Sequence, residues 1–132
     1  MAKGRVGLGR RGEALAADVL IHQGYEIVER NWRCEAGEVD IVARKGGVWH
    51  FVEVRTRRGD EFGTPEESLT PAKQARMVAV AECYLAEHGL GEVDWQLDLI
   101  AVEMERTGRL MRVEMVENLT EGLLQPGGGR GG

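Results

Sequence analysis

The chain has 132 residues, 42% of them hydrophobic and 30% charged, which suits one globular domain with a single core. No apolar run approaches the roughly 20 residues that cross a bilayer, and the basic N-terminus MAKGRVGLGRRGEALAADVL has no uninterrupted apolar core or cleavage pattern. No membrane is therefore expected as a partner, and the cytoplasm is the expected compartment. The net charge of −5 argues weakly against a polyanionic ligand, yet residues 1–58 carry 11 Lys/Arg against 8 Asp/Glu while residues 59–132 carry 6 against 14. One basic face on an acidic protein fits that asymmetry, and so does an ordinary solvated surface.

Residues 1–9 are Gly-rich and basic and read as a flexible arm. From Arg10 to about Gln23 the pattern is helical, with Leu15 and Val19 on the apolar stripe and Gly24 as its stop. Tyr25 to Trp32 alternates as a first strand, Glu38 to Arg44 as a second and Val48 to Thr56 as a third. Arg57 to Leu69 reads as a loop. Thr70 is the N-cap and Pro71 the first residue of a second helix that ends at Gly89. Its apolar face is Met77, Val80, Ala81, Tyr84 and Leu85. Two strands follow, Trp95 to Met104 and Leu110 to Val116, around Thr107-Gly108. Residues 121–132, ending QPGGGRGG, read as a disordered tail. The expected order is α-β-β-β-α-β-β, an α/β protein with helices packed on its sheet through residues 10–120.

Cys34 and Cys83 stand far apart and fit no CxxC pattern, which predicts two reduced, partly buried thiols. His22, His50 and His88 are scattered, so zinc is not expected. Trp32, Trp49 and Trp95 have the chemistry of base-stacking platforms, but core packing is the reading preferred for them.

The second and third strands carry the chemistry. Gly46-Gly47 suits a type I′ turn, whose two central residues need positive φ. That turn predicts Lys45 facing Val48 and Arg44 facing Trp49, and, further out, Asp40 opposite Glu53 and Glu38 opposite Arg55. Alternation puts these four charges on one face and Val39, Ile41, Ala43, Val52, Val54 and His50 on the other, the expected core. Like charges directly opposite each other destabilise a sheet. Two readings follow. A hard divalent cation resolves the conflict, binding one or two carboxylates and keeping waters for substrate phosphates, with Arg55 beside it. Alternatively, the four groups form a solvated salt-bridge cluster of little energetic consequence.

GEVDIVA followed by FVEVRTR resembles the restriction-endonuclease-like, or PD-(D/E)XK, nuclease superfamily, in which an acid on one strand and an E-x-K on the next hold Mg²⁺ and the reactive water. Within it the chain resembles the YraN family of small, uncharacterised bacterial proteins. The match runs through GRRGEALAADVLIHQGYEIVERNWR, the hairpin, GTPEESLTPAKQARMVAVAECYL and WQLDLIAV, about residues 10–102. The resemblance implies a restriction-endonuclease-like mixed central sheet flanked by helices. It implies metal-dependent endonuclease activity on nucleic acid, branched DNA included, with Mg²⁺ or Mn²⁺ as cofactor. Asp40 matches the first-strand acid, Glu53 the acid of E-x-K, and Arg55 the lysine position. Glu13 resembles an extra N-terminal acid of archaeal Holliday-junction resolvases, so Glu13, Asp40 and Glu53 are the implied metal ligands. Without the resemblance, Glu13 reads as an exposed acid near a helix start.

Arg55 departs from the pattern, because arginine stays protonated and is not an interchangeable donor with lysine. Candidate nucleic-acid contacts are Arg10, Arg11, Arg57, Arg58, Lys73 and Arg76, although ordinary solvated helix surface is the reading preferred for the last two. A homodimer suits a junction's two phosphodiesters. The rival functions are a non-catalytic nucleic-acid-binding module on the same fold, and an interaction protein working through its acidic C-terminal half.

Overall fold

A computed structural model describes residues 2–59 and 63–119, with backbone alone for residues 2–8. The elements are α1 (Ala2–His22), β1 (Glu26–Cys34), β2 (Gly37–Lys45), β3 (Val48–Arg58), a 3-10 turn (Glu66–Ser68), α2 (Pro71–Glu87), β4 (Asp94–Met104) and β5 (Leu110–Val116). The expected order α-β-β-β-α-β-β holds. The five strands form one mixed sheet in chain order. Every neighbouring pair is antiparallel except β3 and β4, which run parallel because α2 carries the chain back between them.

Several boundaries differ from the sequence reading; β1, for one, runs to Cys34 rather than Trp32. The first helix begins at Ala2, not Arg10, so the segment read as an arm is helical. Gly4, Gly7 and Gly9 disfavour a helix by about 1 kcal/mol each, but no proline breaks it. β3 continues past Thr56 to Arg58 because β4 pairs with it that far, Arg58 against Met104. The glycine-rich tail lies outside the described residues. No helix among the described residues is long and apolar enough to cross a membrane.

Both faces of the sheet are covered. Ala16, Ala17 and Leu20 of α1 pack on Tyr25, Ile41, Ala43, Val52, Ile100, Val102 and Met104. Gly12 makes this approach close: a Cβ there would fall 2.2 Å from Thr56 Oγ1. On the opposite face Val80, Ala81, Tyr84 and Leu85 of α2 pack on Val42, Trp49, Phe51 and Leu97. Trp32 and Trp95 pack at the margin of that cluster, so all three tryptophans serve the core as preferred. Thr70 caps α2 as expected, its hydroxyl accepting from Lys73 N at 3.2 Å.

The hairpin register is the predicted one near the turn. Lys45 pairs with Val48 and Arg44 with Trp49, and the ladder runs to Ile41 and Val52. There it ends. The expected rungs Asp40–Glu53 and Glu38–Arg55 do not form. On the other side of β2, the ladder with β1 pairs Arg30 with Ile41 and Trp32 with Val39, omitting Asn31 and Asp40 between them. Asp40 is thus unpaired toward both neighbours. Val39, expected to share a face with Ile41, packs instead with the α2 cluster. The strict alternation of faces does not carry across the lapse at Asp40.

Candidate active site

The break in the ladder is what makes room for the acids. Where β2 leaves β3, the backbone N–H of Val54 has lost its strand partner and donates to Asp40 Oδ2 at 2.8 Å. Glu53 is the preceding residue of β3. It continues the Trp49–Phe51 face, which runs under the first turns of α2. The acids are therefore not on a solvated face: the Glu53 side chain is 16% exposed and that of Arg55 28%.

Gly37 lets α2 come close to the β1–β2 turn. A Cβ on it would meet Val80 Cγ2 at 3.3 Å and the Arg76 side chain at 3.5 Å. Between that turn, β3 and α2 lies a cavity of about 160 Å³, lined by Gly37, Glu38, Glu53, Arg55, Lys73, Arg76, Met77 and Val80. A second cavity of about 410 Å³ lies toward α1, lined by Gly9, Arg10, Glu13, Asn31, Arg33 and Glu38. Glu38 borders both.

Burial and crowding of like charge set the electrostatics. Asp40's carboxyl is pushed from its ordinary 3.8 up to about 7, first by burial, then by the charge of Glu53. The Val54 N–H opposes this, while Glu13 and Glu38 add to it. Glu53 is also raised, by burial above all, against the pull of Arg55 and Lys73. Two largely buried carboxylates thus resist losing their protons, a pattern found at functional sites. Arg55 Nη2 lies 3.0 Å from Glu53 Oε2. Its Nε is buried with no hydrogen-bond partner.

The ion pairs differ from the cross-strand pairs expected. Arg55 pairs with Glu53 along its own strand, and Glu38 pairs with Arg33 of β1 at 3.5 Å. Of the implied metal ligands, Asp40 and Glu53 come together and Glu13 acts on both through its charge. Among the described residues no three acid, histidine or cysteine side chains are disposed to share an ion. The acids that could hold a cation are Asp40 and Glu53, with Glu13 a neighbour in the second cavity.

The basic candidates divide. Lys73 and Arg76 line the cavity beside Glu53. Arg10 lines the second cavity. Arg11 is engaged elsewhere, its Nη1 donating to the carbonyl of Gly108 at 2.8 Å. Arg58 donates to the Arg106 carbonyl, also at the β4–β5 turn. Arg57 lies in β3 at the rung with Glu103, away from both cavities. Three features escaped the sequence reading: Arg33, the Val54 N–H, and Asn31, which stands at φ 53 inside β1 at the rung omitted beside Asp40. Asn is among the few residues that tolerate positive φ, and such a residue within a strand is the one sequence-visible signal of the break.

Residues 12–102 match the profile described as "Uncharacterised protein family UPF0102". The chain is 44% identical over 118 residues to a UPF0102 protein of Roseiflexus castenholzii, covering 89% of this chain and 95% of that one. A UPF0102 protein of Symbiobacterium thermophilum is 44% identical over 111 residues (84% and 93%). One from Acidothermus cellulolyticus is 52% identical over 93 residues, 70% of either chain. The profile spans Glu13, Asp40, Glu53, Arg55, Lys73 and Arg76 together. The chain belongs to the uncharacterised protein family UPF0102, the YraN-type family its motifs resemble.

Proposed function

We propose that this protein is a metal-dependent endonuclease that hydrolyses phosphodiester bonds in nucleic acid, DNA being the first substrate class to test. The observation that carries the reading is the crowding of Asp40 and Glu53 just beyond the end of the β2–β3 ladder. Both are largely buried and raised in pKa, and Glu53 lines a cavity whose other charged residues include Arg55, Lys73 and Arg76. Two crowded carboxylates with a surplus of negative charge suit one hard divalent cation that keeps most of its waters.

Asp40 and Glu53 would hold Mg²⁺ or Mn²⁺, which supplies a Lewis acid for the phosphate and a more acidic water at neutral pH. The chain's own residues do the rest. The Val54 N–H fixes the Asp40 carboxylate. Lys73 and Arg76 attract the phosphate into the cavity. Arg55 donates to phosphate oxygens and offsets the charge that builds on them. It stays protonated, so the general base is not Arg55. Glu13 would strengthen the attraction for a cation through its charge, which acts on both acids.

The test is cleavage of linear, single-stranded and branched nucleic acids with Mg²⁺ or Mn²⁺ by the wild type and Asp40→Asn. Metal-dependent cutting by the wild type that is lost in the variant supports the reading. Equal cutting by a pure Asp40→Asn preparation refutes the assignment. A second reading, a non-catalytic nucleic-acid-binding module, is favoured by one observation: Arg55 already provides a cation to Glu53 at 3.0 Å. It predicts salt-sensitive binding that is indifferent to metal.

A further inference from the structure

Arg55 stands where two binding events meet. One arm of its guanidinium, Nη2, holds Glu53 Oε2 at 3.0 Å. Its Nε is buried and has no acceptor. Native proteins seldom leave a buried donor unsatisfied unless something else completes it. The side chain lines the 160 Å³ cavity together with Lys73 and Arg76, a space suited to a small oxyanion. The cavity thus offers three cationic side chains, and the Nε of one of them is buried without an acceptor. Of the two cations whose charge acts on Glu53, Lys73 and Arg55, only Arg55 is paired with it at salt-bridge distance among the described residues.

A guanidinium cannot serve a carboxylate and a phosphate at full strength with the same edge, because its fork geometry is planar and rigid. With Arg55 on Glu53 Oε2, a divalent cation could take only Oε1 without meeting the guanidinium, and a hold through both oxygens would bring two positive charges into contact. Resting on the nuclease reading above, we propose that Arg55 is an exchangeable counter-cation. In the metal-free protein it holds Glu53. When a divalent cation takes the carboxylates, Arg55 is released and turns its donor edge, Nε included, onto the substrate's phosphodiester. Metal and phosphodiester therefore bind cooperatively, each favouring the arrangement the other needs. The arginine found where related motifs carry lysine is then an ordering device: the site is armed only when both ligands are present.

The experiment is calorimetric titration of Mn²⁺ into the full chain, with and without dimethyl phosphate, a phosphodiester that brings no base contacts of its own. Wild type, Arg55→Met, Lys73→Met and Asp40→Asn are compared. In the wild type, Mn²⁺ alone should bind weakly, and dimethyl phosphate should tighten it about tenfold or more. Arg55→Met should bind Mn²⁺ alone about tenfold more tightly than the wild type, and lose most of the enhancement. A fold disturbed by the substitution would weaken metal binding instead, and Arg55→Gln repeats the comparison with a shorter polar side chain. If both Arg55 variants bind Mn²⁺ no more tightly than the wild type while Asp40→Asn loses it, the exchange is overturned and the metal site stands. An equal gain in Lys73→Met also overturns it, since the effect would then be a general field. If no variant and no wild type binds Mn²⁺ in either condition, the nuclease reading falls, and this inference with it.

Discussion

Asp40→Asn should make the metal-free protein more stable near pH 8, although it removes a central group of the proposed chemistry. Asn keeps the shape and an oxygen to accept from Val54 N, now 2.8 Å from Asp40 Oδ2. What it removes is a charge the fold resists. Asp40's carboxyl titrates near 7 in the folded protein against 3.8 ordinarily. A pKa raised in the fold gives stability that is full below the unfolded value and is lost as pH rises toward the folded one. The wild type therefore loses stability between about pH 4 and 7, and the variant does not lose this part. At about 1.4 kcal/mol per pKa unit the full shift sets a ceiling of about 4 kcal/mol near pH 8, and solvent reaching the partly open site brings the expected difference to about 2–4 kcal/mol. With an unfolding entropy of about 2.1 cal/mol/K per residue, Tm should rise by roughly 7–14 °C. Calorimetry in chelator across this range measures it. The gap should shrink below about 1 kcal/mol near pH 4. A variant no more stable than wild type near pH 8, or more stable by the same amount at every pH, would refute the argument that Asp40 is held at the break against its charge.

Gly12→Ala should cost about 1–3 kcal/mol by overpacking, because its Cβ falls 2.2 Å from Thr56 Oγ1; adding Thr56→Ala should restore most of the loss in thermal melts. Asp98→Ala should be among the most disruptive single changes, about 3–5 kcal/mol by urea unfolding. Asp98 is fully buried, pairs with His50 Nδ1 at 2.7 Å, and accepts from Gln96 Nε2 and from the backbone N of Asn118. Arg112 gathers Glu66, Glu103 and Glu114. Being partly exposed, these pairs should be worth only about 1 kcal/mol on Arg112→Ala. The sharper readout is faster hydrogen exchange at residues 63–69, which Glu66 ties to β5.

Much of the architecture was legible because local chemistry dictates it. Gly46-Gly47 set the turn and hence the register for five rungs, and Thr70-Pro71 set the start of α2. Asp40 and Glu53 do lie close enough for their charges to interact, but not at the rung that the same counting predicts. What failed was extrapolation past Ile41 and Val52. A register rule assumes that pairing continues, and here both ladders of β2 lapse at Asp40, with Asn31 at positive φ beside it. Nor did alternation tell which face was solvated. Helix α2 covers the charged face while α1 covers the apolar one, and that is a tertiary fact. The basic residues show the same limit. Arg11 and Arg58 look like free cations in the sequence, and only the fold brings the β4–β5 turn carbonyls within their reach. The cysteines, far apart in the chain, are free thiols as expected. The fold brings them together, and a hydrogen bond with Cys34 raises the Cys83 thiol's pKa.

The parallel pairing of β3 with β4 also bears on time. Val48 meets Asp94 and Arg58 meets Met104, so each rung closes a long loop of chain, whereas the hairpin around Gly46-Gly47 closes over two residues. Local hairpins form in roughly microseconds, and long-range parallel contacts come later. In the early hairpin Asp40 and Glu53 are bathed in water and their repulsion is slight. The conflict arises only when α2 docks and shuts them in. If α2 docks after the rate-limiting step, that penalty shows in unfolding and not in folding. Raising the pH from about 6 to 8 should therefore steepen escape from the native state and leave the refolding rate nearly unchanged, making the acid pair a timer on how long the metal-free protein stays folded.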